Sequence, residues 1–168
     1  MSAARSVSDG LLEAIDTFAR GGGHVLLLID QRARPGELDE RGHRREDPAF
    51  FDRLAGVDFS DGRRQQGRGD VIATEHAPAG LDGGMLRPTV ESLRVADATP
   101  LAHVDVRGER RLAWARRPHG DGMVYTLNAT LRDYSPGQSG GVAGETFTQK
   151  SGPVRLIRAV RAIYEHVI

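Results

Sequence analysis

Gly21-Gly22-Gly23-His24-Val25-Leu26-Leu27-Leu28-Ile29-Asp30 is the stretch on which the reading of this chain turns. A helical pattern ends at the glycines, and five consecutive apolar residues, Val25 to Ile29, follow almost at once. An unbroken run of this length suits a strand buried on both faces, as parallel strands under flanking helices are. The expectation is a central strand of an α/β sheet. The charged loop from Gln31 to Glu46 leaves its far end, where open α/β sheets place their sites.

Upstream, Ser6-Val7-Ser8-Asp9 reads as a helix start, with Ser8 or Ser6 as N-cap and Asp9 near the positive end of the dipole. Leu11, Leu12, Ile15, Phe18 and Ala19 share one face, and Glu13, Asp16 and Arg20 lie outside it. Gly21 is the expected residue for the left-handed turn that ends the helix. Downstream, Asp47-Pro48 opens a short helix whose buried face is Phe50, Phe51 and Leu54, and Gly56 ends it. Val57 to Phe59 can start a strand, and 60–69 is turn-like and basic.

After Gly69 the texture is β. Strands are expected at 70–75, 93–96, 101–107, 111–116 and 123–128, with turns at Gly108-Glu109 and Gly120-Asp121-Gly122. Val104, Val106, Leu112, Trp114, Val124, Tyr125 and Leu127 are the expected core there. Ser135 to Gly144 is rich in Gly and Ser. Ser151-Gly152-Pro153 starts a last helix with Val154, Ile157, Val160, Ile163, Tyr164 and Val167 as its apolar stripe. No repeat is visible, and residues 1–168 read as one domain, long enough to bury a core.

Composition excludes several classes. Lys+Arg and Asp+Glu are both 23, so the formal charge is zero and nothing favours nucleic acid or an anionic membrane. Lys150 is the only Lys, a bias that coding composition explains more simply than phosphate recognition. With no Cys there is no disulfide framework, thiolate metal site or cysteine nucleophile. The first residues carry no apolar segment like a signal peptide's, and no run is long enough to span a bilayer. A cytoplasmic protein is the expectation.

Asp30, at the end of the strand, is the best-placed single residue for chemistry, as a general base or metal ligand. Its plainer reading is a cap on the following loop. Asp39 and Glu40 could pair for glycoside hydrolysis, although adjacent loop acids are usually just solvated. His24, His43, His76, His103, His119 and His166 show no metal-binding spacing, so no metal or cofactor is expected. Glu75-His76 is the one acid–imidazole neighbour pair, a candidate acid/base couple or an ordinary edge pair. Ser135, Ser139 and Ser151 lack a nucleophile elbow. Gly120-Asp121-Gly122 precedes a strand, so it offers no helix N-terminus to a phosphate. Arg68-Gly69-Asp70 is a tripeptide that chance supplies often. Arg63, Arg64 and Arg68 form a basic patch without interleaved aromatics, which reads as a solvated loop.

Two stretches together carry a resemblance. One runs from Phe18-Ala19-Arg20-Gly21-Gly22 through the apolar strand, Pro35-Gly36 and Asp39-Glu40-Arg41-Gly42 to Phe51-Asp52-Arg53-Leu54-Ala55-Gly56-Val57. The other joins Pro100-Leu101-Ala102 and Trp114-Ala115-Arg116 to Gly120-Asp121-Gly122-Met123-Val124-Tyr125-Thr126-Leu127-Asn128. In this order, from about Val7 to the C-terminus, the chain resembles the trimerisation domain of family 42 β-galactosidases and the related class I glutamine-amidotransferase-like domains. The resemblance implies a flavodoxin-like three-layer sandwich with an appended β region. In those galactosidases the domain packs between subunits, and the glycosidase carboxylates lie in a separate barrel. The amidotransferase Cys falls near Asp30-Gln31, where this chain has none, so no catalytic residue carries over. Family members also begin with further β-α units. This chain starts at the helix before the glycine turn, which implies missing strands and an open edge. Either the chain is the C-terminal part of a split or truncated gene, or a partner covers that edge.

The reading is therefore a non-catalytic oligomerisation or subunit-contact module, its partner itself or a glycoside hydrolase-type subunit. The alternatives are a small carbohydrate or amide hydrolase using Asp30, Glu75 and His76, and a ligand-binding module using the 31–46 loop.

Overall fold

The structure, a computed structural model, describes residues 6–29, 36–38, 50–58, 67–86, 88, 93–129 and 152–167. In chain order they form β1 (Ser6–Ser8), α1 (Asp9–Arg20), β2 (His24–Leu28), β3 (Gly36–Leu38), α2 (Phe50–Ala55), β4 (Val57–Asp58) and β5 (Gly69–Ala73). They continue with β6 (Met85–Leu86), β7 (Arg94–Val95), β8 (Thr99–Val106), β9 (Glu109–His119), β10 (Gly122–Leu127) and α3 (Gly152–Val167). The fold is mixed α/β, built on a six-stranded sheet of order β2-β10-β9-β8-β5-β6. β2 and β10 run parallel, and every other pair in that sheet is antiparallel. Two small ribbons, β1–β3 parallel and β4–β7 antiparallel, complete the described strands. None of the described helices is long and apolar enough to cross a membrane.

The apolar run is a strand, as expected, but it is not central. β2 pairs only with β10 among the described residues and lies at the sheet's edge. Its middle residues are half-buried and Leu28 is 41% exposed, while Ile29 beyond it is buried. Hydrophobicity placed this segment in a sheet without revealing how many neighbours it has. The expected appended β region is also corrected: β5, β6, β8, β9 and β10 make up most of the same sheet. The expected loop 31–46 contains β3.

α1 starts at Asp9 with Ser8 in the N-cap position. Its end is one residue later than expected. Gly21 stays at φ −82°, and Gly22 takes the left-handed conformation at φ +97°. The Gly22 N–H then donates to Ala19 O (3.2 Å) and the Gly23 N–H to Phe18 O (2.9 Å), the paired bonds of a Schellman end. This sharp reversal lets β2 start only four residues after the helix and run back beneath it.

β8 and β9 meet through the two-residue turn Arg107-Gly108, one position earlier than expected, with both residues at positive φ. Their ladder is irregular. His103 faces Leu112 and Ala102 faces Trp114, so Ala113 is an extra residue on β9; Pro100 faces Ala115, so Leu101 is extra on β8. The bulges reset the alternation. Leu112 and Ala115 pack on one sheet face with Ala55, Val57 and Ala98, and Ala113 and Trp114 pack on the other. Asn128, fully buried, spans the irregularity: its N–H donates to Ala113 O and its Nδ2 to Leu112 O, both at 2.8 Å.

Helices lie on both faces. Ala159, Ile163 and Val167 of α3 pack with Trp114, Tyr125 and Leu127. Ala19 of α1 and Leu54 of α2 pack on Val124 from the opposite side. Every expected core residue of the β segment is buried. Of the expected α3 stripe, Ile163 and Val167 are buried and Tyr164 is 38% exposed, because the buried side runs through 159, 163 and 167.

Candidate functional site

An open groove of about 1020 Å³ runs along α1, walled by α2, the bend at Ala96-Asp97 and the end of β9. Its polar lining follows from local periodicity. Asp9, Glu13, Asp16 and Arg20 recur at helical spacing and form one flank of α1, beside the buried Leu12 and Ala19. On β9 the bulge at Ala113 turns Ala115, Arg117 and His119 to this side of the sheet.

Two charge clusters organise the groove. Asp16 gives one oxygen to each of two partners: Oδ1 accepts from His119 Nε2 at 2.7 Å, and Oδ2 accepts from Arg20 Nε at 2.7 Å. The Arg20 bond, and after it the His119 bond, hold the Asp16 carboxyl below the usual carboxylate range. Arg117 donates through Nε (3.0 Å) and Nη2 (2.7 Å) to Asp97 Oδ2. Its Nη1 reaches the carbonyls of Arg53 and Leu54 in the last turn of α2, where a cation offsets the negative end of the helix. Arg117 thus ties α2 to the 96–98 bend, and His119 ties the β9–β10 turn to α1. The Asp121 N–H adds to that tie by donating to Arg20 O at 3.0 Å.

The chemistry available is ionic. An imidazole oriented by a carboxylate is the core of a general-base arrangement. Among the described residues that line the groove, none carries a hydroxyl for it to activate. Among the described residues no group of three or more His, Asp or Glu is arranged to hold a metal ion.

Glu75 and His76, the acid/base candidates among the described residues, lie outside this groove. Glu75 and His76 sit on the surface after β5, with Glu75 Oε1 3.6 Å from His76 Nε2 and side chains 86% and 49% exposed. The turn there is built by Thr74, whose Oγ1 accepts the His76 N–H. Asp30, Asp39, Glu40, His43, Arg63, Arg64, Ser135, Ser139 and Ser151 lie outside the described residues. Ile29 follows the end of β2, four strands across the sheet from β5, after whose end Glu75 and His76 lie. His24 and His166 belong to an aromatic cluster under the end of α3, with His166 5.5 Å from Trp114 and 5.8 Å from Tyr125 between ring centres. Asp16 and His119 escaped the sequence reading because 103 positions separate them. The only signal was the spacing of charges on α1, which also describes any solvated helix face.

No family model matches the chain, and no curated protein matches it. Solved structures do. The β-galactosidase of Bacillus circulans sp. alkalophilus superposes with a TM-score of 0.59 at 13% identity, over 76% of this chain and 19% of its own. The cold-adapted β-galactosidase of Rahnella sp. R3 gives 0.58 at 15% identity, over 98% of this chain and 22% of its own. The enzyme of the Antarctic haloarchaeon Halorubrum lacusprofundi gives 0.54 at 18% identity, over 76% and 18%. This chain spans about a fifth of the length of each. It shares the fold of one stretch of these β-galactosidase chains.

Proposed function

We propose that this chain is a glycoside hydrolase-related module, non-catalytic, serving oligomerisation or subunit contact, with the flavodoxin-like layering of an amidotransferase-like domain. One observation carries the reading: its fold matches a stretch about a fifth as long as the β-galactosidase chains that contain it. The absence of Cys from the sequence agrees, since an amidotransferase-type nucleophile has no residue to occupy. The groove agrees as well. Asp16 and Arg117 spend their polar atoms tying α1, α2 and β9 together.

Size-exclusion chromatography with light scattering, alongside a circular-dichroism melt, tests this on the full chain. A discrete oligomer with a cooperative melt is expected. A cooperatively melting monomer at all concentrations overturns the reading.

A second reading, a small hydrolase of carbohydrates or amides, rests on the Asp16–His119 pair in an open groove. Turnover of glycosidase or amidase substrates by the wild type, lost in His119→Ala, would establish it.

A further inference from the structure

α3 closes over the sheet on a cluster of aromatic side chains. His166, in its last turn, stands edge-on to Trp114 (5.5 Å between ring centres, 86° between planes) and to Tyr125 (5.8 Å, 85°). His24 of β2 joins the cluster 5.9 Å from Tyr125, and its Nδ1 donates to the Val167 carbonyl at 3.1 Å. Trp114 is wholly buried. Two nitrogens here, Trp114 Nε1 and His166 Nε2, are buried and find no hydrogen-bond partner among the described residues.

The two protonation states of His166 fare differently in this setting. A neutral imidazole with its proton on Nδ1 leaves Nε2 as an unfilled acceptor, the smaller cost. An imidazolium puts a charged N–H at Nε2 with nothing to accept it. The surrounding groups do not compensate. β9 supplies Arg116 and β2 supplies His24, both of like sign when charged, and β10 supplies Tyr125. β6, on which α3 also packs, carries only Met85 and Leu86. On α3 itself Glu165 is exposed and engaged by Arg161 Nε at 2.6 Å. Dehydration, then Arg116 and His24, accordingly lower the His166 pKa from 6.5.

The helix is held more firmly before this turn. Ala159 and Ile163 are fully buried. Ala159 lies so close on Gly84 that a Cβ added there would come within 2.7 Å of the Ala159 Cβ. One turn separates Ile163 from Val167, and helix ends open at low free-energy cost. The His24 bond does not itself sense acid, since Nδ1 donates in either protonation state.

We propose that the last turn of α3 is an acid-released clasp: protonation of His166 lifts it from Trp114 and Tyr125 while the helix up to Ile163 stays on the sheet. Opening hydrates His166 Nε2 and Trp114 Nε1 together. The open form binds the proton with its ordinary affinity. Its share therefore grows as pH falls from 6.5 towards the lowered value of the closed form, by up to about tenfold per pH unit.

Trp114 is the only Trp, so it reports on its own cover. Acrylamide quenching of its emission from pH 8 to 5 on the full chain, with far-UV circular dichroism alongside, tests the clasp. Intensity alone does not, because an imidazolium quenches an indole that it touches. Below pH 6.5 the quenching constant is expected to rise and the emission maximum to move to longer wavelength, with the β signal retained. In His166→Gln, which gains no proton, both are expected to stay flat. In the wild type the His166 ring, titrated by NMR, is expected to share its midpoint with the rise. An indole as shielded at pH 5 as at pH 8 overturns the proposal, and so does a rise that coincides with loss of the β signal. A His166 ring that titrates at or above 6.5 overturns it in the wild type, without recourse to any variant. A rise that persists in a cooperatively melting His166→Gln assigns the opening to another group and overturns it as well.

Discussion

The Gly56 carbonyl accepts three backbone N–H groups, from Ala96 (3.0 Å), Asp97 (3.1 Å) and Ala98 (3.0 Å). It does so from a left-handed conformation, φ +65°, at the end of α2. A Cβ on Gly56 would lie 2.6 Å from Arg117 Cδ and 2.9 Å from the Ala98 nitrogen. These are the backbone that Gly56 holds and the side chain that joins α2 to Asp97. Gly56→Ala therefore combines left-handed strain, about 1–2 kcal/mol for a non-Gly residue, with displacement of the Arg117 bridge. Urea denaturation is expected to show a loss of at least about 2 kcal/mol with an unchanged slope. A loss below about 0.5 kcal/mol would mean that the 96–98 bend moves freely with α2.

At the scale of elements, the β8–β9 ladder depends on one side chain from a third strand's end. The bulges free Leu112 O, and Asn128 Nδ2 fills its place in a site with no access to water. Asn128→Ala leaves that carbonyl without the donor and is expected to cost about 1–3 kcal/mol. Asn128→Asp puts an acceptor against an acceptor and is expected to cost more, so equal urea midpoints for the two variants would contradict the role of Nδ2. These elements also mark how far the sequence could be read. Alternation located β5, β8, β9 and β10 to within a few residues, because one apolar face per strand is a local signal. It could not show that Leu112 and Trp114 face opposite ways. The bulge between them is stabilised by Asn128, 16 positions from Leu112. The run Val25–Ile29 misled for the same reason. Apolarity identifies a strand, whereas edge or centre depends on neighbours set elsewhere in the chain. In the groove, Asp9, Glu13, Asp16 and Arg20 were visible only as a charged helix face. His119 reaches Asp16 through the packing of the β9–β10 turn on α1, which no local pattern encodes.

The whole molecule is a sheet with helices on both faces, and its stability depends on pH through groups that this layering dehydrates. His166 of α3 lies against Trp114 and Tyr125. Loss of solvent, and then the nearby charges of Arg116 and His24, push its pKa down from the ordinary 6.5. His103, half-buried on β8, is lowered in the same way by dehydration and then by Arg110. In both cases the folded pKa is below the unfolded one, so the unfolded chain binds more protons as pH falls through 6.5. Their contribution is complete above about pH 6.5 and is lost as pH drops from there through the lowered folded values. Asp16 is also depressed, but it lies in a window below 3.8 and adds nothing to this one. With the formal net charge at zero, bulk repulsion is small near neutrality, and the histidines set the slope. The melting temperature is expected to be flat from pH 8 to 7 and to fall between pH 6.5 and 5. In a His103→Gln/His166→Gln variant the fall over that interval is expected to shrink even if the variant is less stable at pH 8. A slope that survives both substitutions would assign the acid sensitivity to groups other than the two dehydrated imidazoles.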